Sequence, residues 1–375
     1  MKKVLLIATV QSHIVQFHKP LVKMLHEHGY EVHVAARNNL AEKNGLKLDF
    51  VDKVFDVPFA RSPFSTSNLK AKKQLKEILK NEHYDYIHCN TPVGGILGRV
   101  CGKKYRKKGT QVIYTSHGFH FYKGGPKKNW ILYYPIEKHY ARVTDKLITI
   151  TEEDRALSFK KFKTQTFRIH GTGVNKDRFH IISDEEKNII RNELGLPLNA
   201  CLLLIVGELN ENKNQITAIK AVEKLVNEDQ KLNVMLLVAG NGPKNEELQN
   251  YVKEHELTKY VKFLGYDPHI ERYTKVSDVI ISASIREGLG NNVIEGMLCG
   301  HVAFASYNRG HNELLEKDDN YQFIAKDFNK LSKLLHNYLV NPDSVKEKVE
   351  YNLNKALLYT TDCVEKELES IYFGK

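Results

Sequence analysis

The stretch DVIISASIREGLGNNVIE, Asp278 to Glu295, joins an apolar run to a glycine-rich turn and a helical pattern. The run Asp278 to Ser284 is short, apolar and rich in β-branched residues, which is typical of a strand buried in a parallel sheet. Gly288 and Gly290 permit positive φ and a close approach of the backbone to a ligand, and Asn291 or Asn292 can cap the following helix. Strand, turn and helix in this order predict a βα unit, with its loop at the sheet edge where parallel sheets bind ligands.

Two acids, Glu287 and Glu295, lie around this turn in a chain whose formal net charge is +11. If the helix begins close to Asn291, its first N–H groups and positive dipole end form an anion site. Ionised carboxylates accept hydrogen bonds and donate none, so both glutamates suit hydroxyl-rich partners such as ribose and hexose. The alternative is that Glu295 only complements the helix dipole and Glu287 is solvated. The spacing of the acids does not decide between these interpretations.

Similar apolar runs, separated by helical patterns, occur on both sides of this stretch. Such alternation predicts βα units around a parallel sheet. A second doubly wound domain is expected from near Ala200, and the join lies around His170 to Phe179, where two glycines interrupt the apolar periodicity. The runs are VLLIATV, EVHVAA, YDYIHC, QVIYT, KLITI and TFRIH, then CLLLIVG, VMLLVAG, VKFLG, DVIISAS and HVAFAS.

Length and composition favour two soluble globular domains. The chain has 375 residues, 42% of them hydrophobic and 27% charged, which is too long for one comfortable core and too apolar for a disordered chain. Five scattered cysteines without a CxxC pair suggest neither a zinc site nor a disulfide framework, and a reducing compartment fits best. No apolar run approaches the ~20 residues that cross a bilayer, so we expect a protein that is not integral to a membrane.

The segment EGLGNNVIE resembles the E-x7-E motif of the retaining, family-four glycosyltransferases of the GT-B fold. The supporting C-terminal matches are VGELNENKN, AGNGP, LGY and ASYNRGHNELL. The N-terminal half resembles the bacterial enzymes that assemble capsular and exopolysaccharide repeat units. Its matching segments are FHKPLVKMLHEHGYEVHVAA, HCNTPVGGILGRV, YTSHGFHFYKGGPKKNWILYYPIEKHYARVTDKLITITEED and HGTGV.

The resemblance implies two Rossmann-like, doubly wound parallel-sheet domains that face each other across a cleft. We expect an acceptor-binding domain over residues 1–175 and a nucleotide-sugar-binding domain over 176–354. By similarity, a final helix over about 355–375 packs back on the first domain.

On the donor side, the family's first glutamate contacts the sugar, the turn backbone approaches the diphosphate, and the second glutamate binds the ribose. The family's usual arginine in the first loop of this domain aligns with Glu208, a departure that puts a two-cation diphosphate clamp in doubt. Carried over by position, the donor-side residues are Lys213, Gly265, Tyr266, Glu287, Gly288, Leu289, Gly290, Asn291 and Glu295.

On the acceptor side, His117 directly follows the strand QVIYT, where the family has a histidine near the reacting centre. An imidazole can hydrogen-bond a sugar hydroxyl and stabilise developing charge at neutral pH, so His117 is a candidate catalytic residue. The resemblance implies Glu287 as the second candidate. His13, His18 and His120 are the acceptor-side candidates, and the alternative for His117 and His120 is a structural role in a turn. A zinc site is the competing interpretation, but His13 and His18 are five apart and no cysteine or acid completes a set.

The resemblance implies a retaining hexosyl- or N-acetylhexosaminyltransferase. We expect it to transfer the sugar from a nucleotide-sugar, which is UDP-linked, to a lipid-linked saccharide, without another cofactor. Because there is no DxD sequence, we expect metal-independent transfer. The basic and aromatic segments Lys103 to Gly109 and Tyr122 to Pro135 suggest peripheral contact with an anionic membrane at the cytoplasmic face, against the alternative of a solvated basic face.

Two other functions fit parts of the sequence. A GT-B sugar-nucleotide epimerase or hydrolase would share the fold, and a basic nucleic-acid-binding protein would share the charge. We find no nucleic-acid module, and nucleic acid is not an expected partner. A dinucleotide dehydrogenase is disfavoured because no GxGxxG follows the first strand. The sugar, the linkage and the oligomeric state stay open.

Overall fold

The computed structural model describes residues 2–42, 46–62, 65–229 and 232–374. The chain divides into two compact units. Unit 1 runs up to residue 173 and takes up the chain again from residue 361, and unit 2 covers residues 174–360.

Unit 1 contains a parallel sheet of seven strands among the described residues, in the order β3-β2-β1-β4-β5-β6-β7. The order reverses direction between β1 and β4, which is the switch point at which doubly wound sheets bind ligands. The strands are β1 Lys2–Val10, β2 Tyr30–Arg37, β3 Lys53–Asp56, β4 Tyr86–Asn90, β5 Gln111–Ser116, β6 Lys146–Thr149 and β7 Gln165–Arg168.

The helices of unit 1 connect these strands, and the final helix of the chain joins them. They are α1 Gln11–Phe17, α2 Lys19–Glu27, α3 Ser67–Asn81, α4 Pro92–Gly102, α5 Lys127–Ala141, α6 Glu152–Lys161 and α15 Thr361–Phe373, with short 3-10 turns at Leu40–Glu42 and Tyr105–Lys108. Helix α15 is anchored to the sheet, since Tyr86 Oη donates to the carbonyl of Tyr372 at 2.9 Å.

Unit 2 contains a parallel sheet of six strands among its described residues, in the order β10-β9-β8-β11-β12-β13. Its switch point lies between β8 and β11, which are paired in parallel register from Leu203 opposite Val279. The strands are β8 Cys201–Val206, β9 Val234–Ala239, β10 Val261–Gly265, β11 Val279–Ser282, β12 Val302–Ser306 and β13 Gln322–Phe323.

The helices of unit 2 lie between and after these strands, and a 3-10 turn at Pro342–Val345 separates two of them. Pro342 ends the preceding helical run because proline cannot continue a helix. The helices are α7 Asp184–Glu193, α8 Gln215–Glu228, α9 Asn245–Glu254, α10 Ile270–Val276, α11 Asn291–Leu298, α12 Arg309–Leu315, α13 Phe328–Val340 and α14 Lys346–Leu357.

Each sheet buries alternate side chains against helices. In unit 1, Leu5 and Ile7 of β1 share a core with Leu75 of α3 and Val93 of α4, and in unit 2 the central strands pack in the same way against α8 and α13. Fully burying such a side chain contributes about 1.5–3 kcal/mol. Two-sided burial explains why the central strands are apolar along their whole length.

The expected doubly wound α/β architecture is confirmed, and every apolar run quoted above forms a strand. Strands β3 and β13 do not correspond to any of these runs. The expected side-chain cap of α11 is wrong, because Gly290 holds the cap position and neither Asn291 nor Asn292 caps the helix. Among the described residues, no helix combines the length and the apolar character needed to cross a bilayer.

Candidate active site

Two loops of unit 2 meet at the switch point of its sheet. The first follows β8 over residues 207–214, and the second follows β11 over residues 283–290. Asn212 joins them twice, since its carbonyl accepts from Ile285 N at 2.7 Å and its Nδ2 donates to Arg286 O at 3.0 Å. Asn214 Nδ2 also donates to Ala283 O at 3.1 Å. The two predicted donor loops are therefore fixed against each other at the ligand-binding edge.

Lys213 and Glu287 form an ion pair between these loops. Lys213 Nζ donates to Glu287 Oε1 at 2.6 Å, and the two side chains are 26% and 14% exposed. Burial raises the pKa of Glu287, but Lys213, Ser284 and His311 outweigh it, so the pKa lies below its usual value. Glu287 is therefore a fixed, ionised hydrogen-bond acceptor at neutral pH.

Helix α11 begins directly after Gly290. The φ of Gly290 is +102°, a left-handed conformation that favours glycine. A Cβ at this position would also lie 3.0 Å from Cδ2 of His311. The turn therefore brings bare backbone to the first turn of the helix, where N–H groups and the positive dipole end favour an anion.

The loops after β9 and β10 continue the same edge. Gly240 N donates to Gly265 O at 2.7 Å, and a Cβ at Gly240 would lie 2.0 Å from the carbonyl oxygen of Gly207. Only a glycine allows the β9 loop to approach the β8 loop so closely. Tyr266 follows Gly265 and is 51% exposed, which leaves its ring available to a flat partner such as a base.

Glu295 lies on α11 and is partly buried. Burial raises its pKa to about 7, although Arg178 and Lys213 oppose the shift. Glu287 and Glu295 thus differ in protonation near neutral pH although they belong to one motif.

His311 of α12 is a residue of this site that the sequence reasoning missed. Its side chain is buried, and its Nδ1 lies 2.7 Å from the carbonyl of Ser306. Nδ2 of Asn308 lies 2.9 Å from the same Nδ1, and burial lowers the pKa of the ring to about 4. Nε2, which faces Gly290, has no hydrogen-bond partner among the described residues. The segment ASYNRGHNELL, which resembles the family, contains this histidine and could have identified it as a site residue.

The acceptor-side candidates of unit 1 divide into a cluster and an outlier. The rings of His13 and His18 lie 5.2 Å apart, and His117 lies 4.7 Å from His13 and 5.7 Å from His18. His120 does not join them, because it stacks on Tyr133 at 4.6 Å. The fold thus brings together residues that follow β1 and β5.

Burial controls the charge of this cluster. It lowers the pKa of His117 to about 4, and it lowers the pKa values of His13 and His18 well below the usual value, with a further contribution from neighbouring imidazoles. At neutral pH the rings are therefore uncharged and can donate from one nitrogen and accept at the other.

The other residues predicted for the donor site lie in the two loops of unit 2 or next to them. Lys213, Glu287 and the backbone from Gly288 to Asn291 lie together in unit 2, whereas Glu208 is exposed beside Asn210, whose Nδ2 donates to it at 3.1 Å. Leu289 is buried, and a Cβ on Gly310 would lie 2.7 Å from its backbone, so α12 supports the turn from behind.

Comparison with known families gives a match on each half of the chain. The family described as "Glycosyl transferases group 1" matches residues 186–355, and the family described as "Glycosyl transferase 4-like" matches residues 3–151. The first match contains both predicted donor loops, and the second contains the histidine cluster.

Individual relatives cover most of the chain. A Bacillus subtilis (strain 168) protein named as glycosyltransferase EpsD is 41% identical over 321 residues, which is 85% of this chain and 82% of the relative. The Escherichia coli UDP-Gal:alpha-D-GlcNAc-diphosphoundecaprenol alpha-1,3-galactosyltransferase is 26% identical over 338 residues, 84% of this chain and 86% of the relative. Among solved structures, Anabaena Alr3699/HepE in complex with UDP and glucose superposes with a TM-score of 0.78 at 17% identity, over 100% of both chains.

Proposed function

Because this chain belongs to the glycosyltransferases of the group 1 and 4-like families and has the GT-B fold, we propose that it transfers a sugar from a UDP-sugar to a lipid-linked saccharide. The transfer retains the configuration at the anomeric carbon and serves capsule or exopolysaccharide assembly. The transferred group is a hexose or an N-acetylhexosamine.

The observation that carries this proposal is the Lys213–Glu287 pair beside the start of α11. Lys213 Nζ, 2.6 Å from Glu287, supplies a positive charge, and the left-handed Gly290 gives the diphosphate access to the helix start. Glu287 accepts hydrogen bonds from the sugar hydroxyls, and Glu295 binds the ribose. Tyr266 and Gly265 border the base.

Two relatives support the choice of substrates. The name of the Escherichia coli relative gives a UDP-linked galactose as donor and a diphosphoundecaprenol-linked sugar as acceptor. Another relative, from Campylobacter jejuni, is 30% identical over 118 residues and also carries diphospho-undecaprenol in its name. An acceptor of this kind has a saccharide at the reacting end and a lipid at the other.

The transfer step breaks the bond from the anomeric carbon to the phosphate oxygen, and the electron pair leaves with the nucleoside diphosphate. The acceptor hydroxyl oxygen forms the new bond on the same face, and its proton passes to the leaving phosphate oxygen. His117 hydrogen-bonds the sugar at the reacting centre, with His13, His18 and His120 on the acceptor side. Lys213 and the α11 backbone stabilise the diphosphate, so the step needs no metal.

Helix α5 is the proposed membrane contact and sets the protein at the cytoplasmic face. Ile131 is 78% exposed and Leu132 48% exposed, with exposed Lys127 and Lys128 one turn earlier. Trp130 is not available as an anchor, because it packs on the core and its Nε1 donates to Tyr122 O at 3.1 Å. Lysines near an anionic surface contribute roughly 1 kcal/mol each.

The function is tested with a panel of UDP- and GDP-sugars and lipid-linked saccharide acceptors. We expect release of UDP only when acceptor is present, and a product whose new bond keeps the donor configuration by NMR. Release of UDP without glycosylated product would identify a hydrolase, and conversion of the donor alone would identify an epimerase.

Membrane docking is tested by co-sedimentation with vesicles of increasing anionic lipid content. Fully burying an isoleucine contributes about 1.5–3 kcal/mol, so Ile131→Ser is expected to weaken partitioning by roughly tenfold or more. Leu69→Ser is the matched control, since Leu69 is 70% exposed on α3 of the same unit. Equal binding of both variants, or binding that ignores anionic lipid, would contradict docking through α5.

A further inference from the structure

Three imidazoles of unit 1 converge from two separate loops. His13 and His18 follow β1, His117 follows β5, and one nitrogen of each ring lies within 4.8 Å of the others. In the sequence, His13 and His18 are five residues apart and His117 is far from both, so the spacing does not show that His117 completes a set of three.

The spacing of the rings matches the geometry of a tetrahedral metal ion. A Zn–N bond of about 2.05 Å and a ring centroid about 1.15 Å beyond the nitrogen place two imidazole centroids roughly 5.2 Å apart. The observed centroid separations are 4.7, 5.2 and 5.7 Å. The rings must turn to bring their nitrogens to about 3.3 Å from each other, whereas their centroids need to shift by only about 0.5 Å.

Two nitrogens of the cluster differ from those of a structural histidine. Among the described residues, Nε2 of His13 and Nε2 of His18 are shielded from solvent without a hydrogen-bond partner. Neighbouring His88 shows the contrast, because its Nδ1 lies 2.6 Å from Tyr372 Oη and its Nε2 lies 2.7 Å from Thr115 Oγ1. Buried polar atoms are nearly always satisfied by protein, water or an ion, so two such nitrogens in one cluster favour a site that holds an ion or a water.

His117 has the outer contact that metal-bound imidazoles usually make. Its Nε2 lies 3.4 Å from Oδ1 of Asn90, an acceptor that favours the tautomer with the proton on Nε2 and the lone pair on Nδ1, where an ion can bind. A cavity of about 20 Å³ borders His18 and His117. This volume holds about one water and is far below the roughly 300–1,000 Å³ of a small-molecule pocket. His13 and His117 are partly exposed, so an ion can enter from solvent.

We propose that His13, His18 and His117 bind one late first-row divalent ion, Zn²⁺ being the reference, with the fourth position open to water. Imidazole ligands suit Zn²⁺, Ni²⁺ and Cu²⁺, whereas Mg²⁺ and Mn²⁺ prefer oxygen. All three ligands belong to unit 1, and the ion itself takes no part in the proposed transfer step. An ion bound to the lone pair of His117 prevents this residue from making its proposed hydrogen bond to the sugar. Zn²⁺ is therefore an inhibitor of transfer.

Binding is tested on the full chain after chelator treatment and dialysis, by calorimetric titration with Zn²⁺. We expect one ion per chain, with affinity lowered at least about 10–100-fold in His13→Gln and in His117→Gln, the loss that removing even an outer-shell partner causes. His139→Gln is the matched control, because His139 is exposed on α5 and outside the cluster. Mg²⁺ should give no signal at the same concentration.

A measurement on the unmodified chain keeps the test independent of how the variants fold. X-ray absorption at the zinc edge should count three imidazole ligands, and Co²⁺ should give the intense visible bands of a tetrahedral site. No binding, fewer than three imidazoles, or an affinity equal to that of the wild type in both cluster variants would overturn the proposal.

The inhibition rests on the proposed transfer function and is measured separately. If Zn²⁺ binds to the cluster and slows transfer, and EDTA restores the rate, both proposals are supported. If Zn²⁺ binds and transfer continues unchanged, the metal site stands and the role of His117 in transfer falls. If transfer proceeds and no ion binds, only the metal site falls.

Discussion

Replacing Glu287 by Gln tests the donor site with the smallest change of shape. The substitution removes the negative charge that holds Lys213 Nζ at 2.6 Å and leaves a neutral amide in its place. Lys213 then stays in a partly buried position without its counter-charge. Two effects follow, one on the stability of unit 2 and one on transfer, and they are separable by measurement.

The stability effect is moderate because the pair is neither exposed nor fully buried. Exposed ion pairs contribute about 0–1 kcal/mol and breaking a buried pair costs about 3–5 kcal/mol. Side chains that are 26% and 14% exposed place this pair between those limits, at about 1–2 kcal/mol after screening by solvent. For a unit of this size the melting temperature should fall by roughly 2–8 °C.

The pH dependence of that effect has a definite sign. Because the pKa of Glu287 is lowered in the folded chain, its stabilisation is fully present above the unfolded pKa of about 4.3 and is lost as pH falls through the folded pKa. The wild type and Glu287→Gln should therefore differ at pH 7 and converge in acid. Thermal unfolding across this pH range measures the difference.

The effect on transfer should be larger. A hydrogen bond to a charged group contributes about 1.5–3 kcal/mol, which corresponds to roughly 10–150-fold in kcat/KM. The assay is steady-state transfer at a temperature well below the melting point, with Glu246→Gln as control because Glu246 is exposed on α9. Wild-type kcat/KM in Glu287→Gln would remove Glu287 from the site, whereas a drop that vanishes at lower temperature would reduce its role to stability.

Three further outcomes are expected. Since burial raises the pKa of Glu295 to about 7, folding favours its protonated form, and wild-type stability falls as pH rises from about 4.3 towards 7. Glu295→Gln should therefore be more stable than wild type by up to about 3 kcal/mol at pH 8 and by much less at pH 5 in denaturant titrations. Gly290→Ala should lower the free energy of unfolding by about 1–3 kcal/mol, because the φ of +102° is strained for alanine and the new Cβ would lie 3.0 Å from His311. Calorimetric titration should also show weaker binding of UDP to this variant. EDTA should leave the transfer rate undiminished, and loss of activity that manganese restores would refute metal-independent transfer.

The central strands could be predicted from the sequence because two-sided burial leaves a run of apolar residues that no turn or exposed helix resembles. The strands at the edges of the sheets could not be predicted in this way. Lys53–Asp56, which forms β3, is mostly exposed and carries charge at both ends, and Gln322–Phe323, which forms β13, is two residues long. A strand that pairs on one side and covers little core leaves almost no pattern in the chain.

The site was only partly predictable for a related reason. The turn at Gly288 to Gly290 and the start of α11 follow from local sequence, because glycine conformation and helix geometry are local properties. The contact of Glu287 with Lys213 and the approach of His117 to His13 depend on which strands are neighbours in the sheets. The resemblance assigned Lys213 and Glu287 to the same donor side but predicted no contact between them, and no spacing rule predicted the approach of His117 to His13.

The two glutamates of the E-x7-E motif have opposite pKa shifts, which gives them different chemical capacities. Burial acts on both, but Glu287 has Lys213 at 2.6 Å and its pKa is lowered, whereas Glu295 makes no ion pair among the described residues and its pKa rises to about 7. An ionised carboxylate accepts hydrogen bonds and donates none, while a carboxyl that titrates near neutrality can also donate one. Two acids pushed apart in this way commonly divide two roles in one site. Glu287 is thus suited to a fixed set of sugar hydroxyls, and Glu295 can bind a ribose in either protonation state. Substituting glutamine should therefore impair transfer more at Glu287 than at Glu295, and an equal loss at both positions would contradict this division.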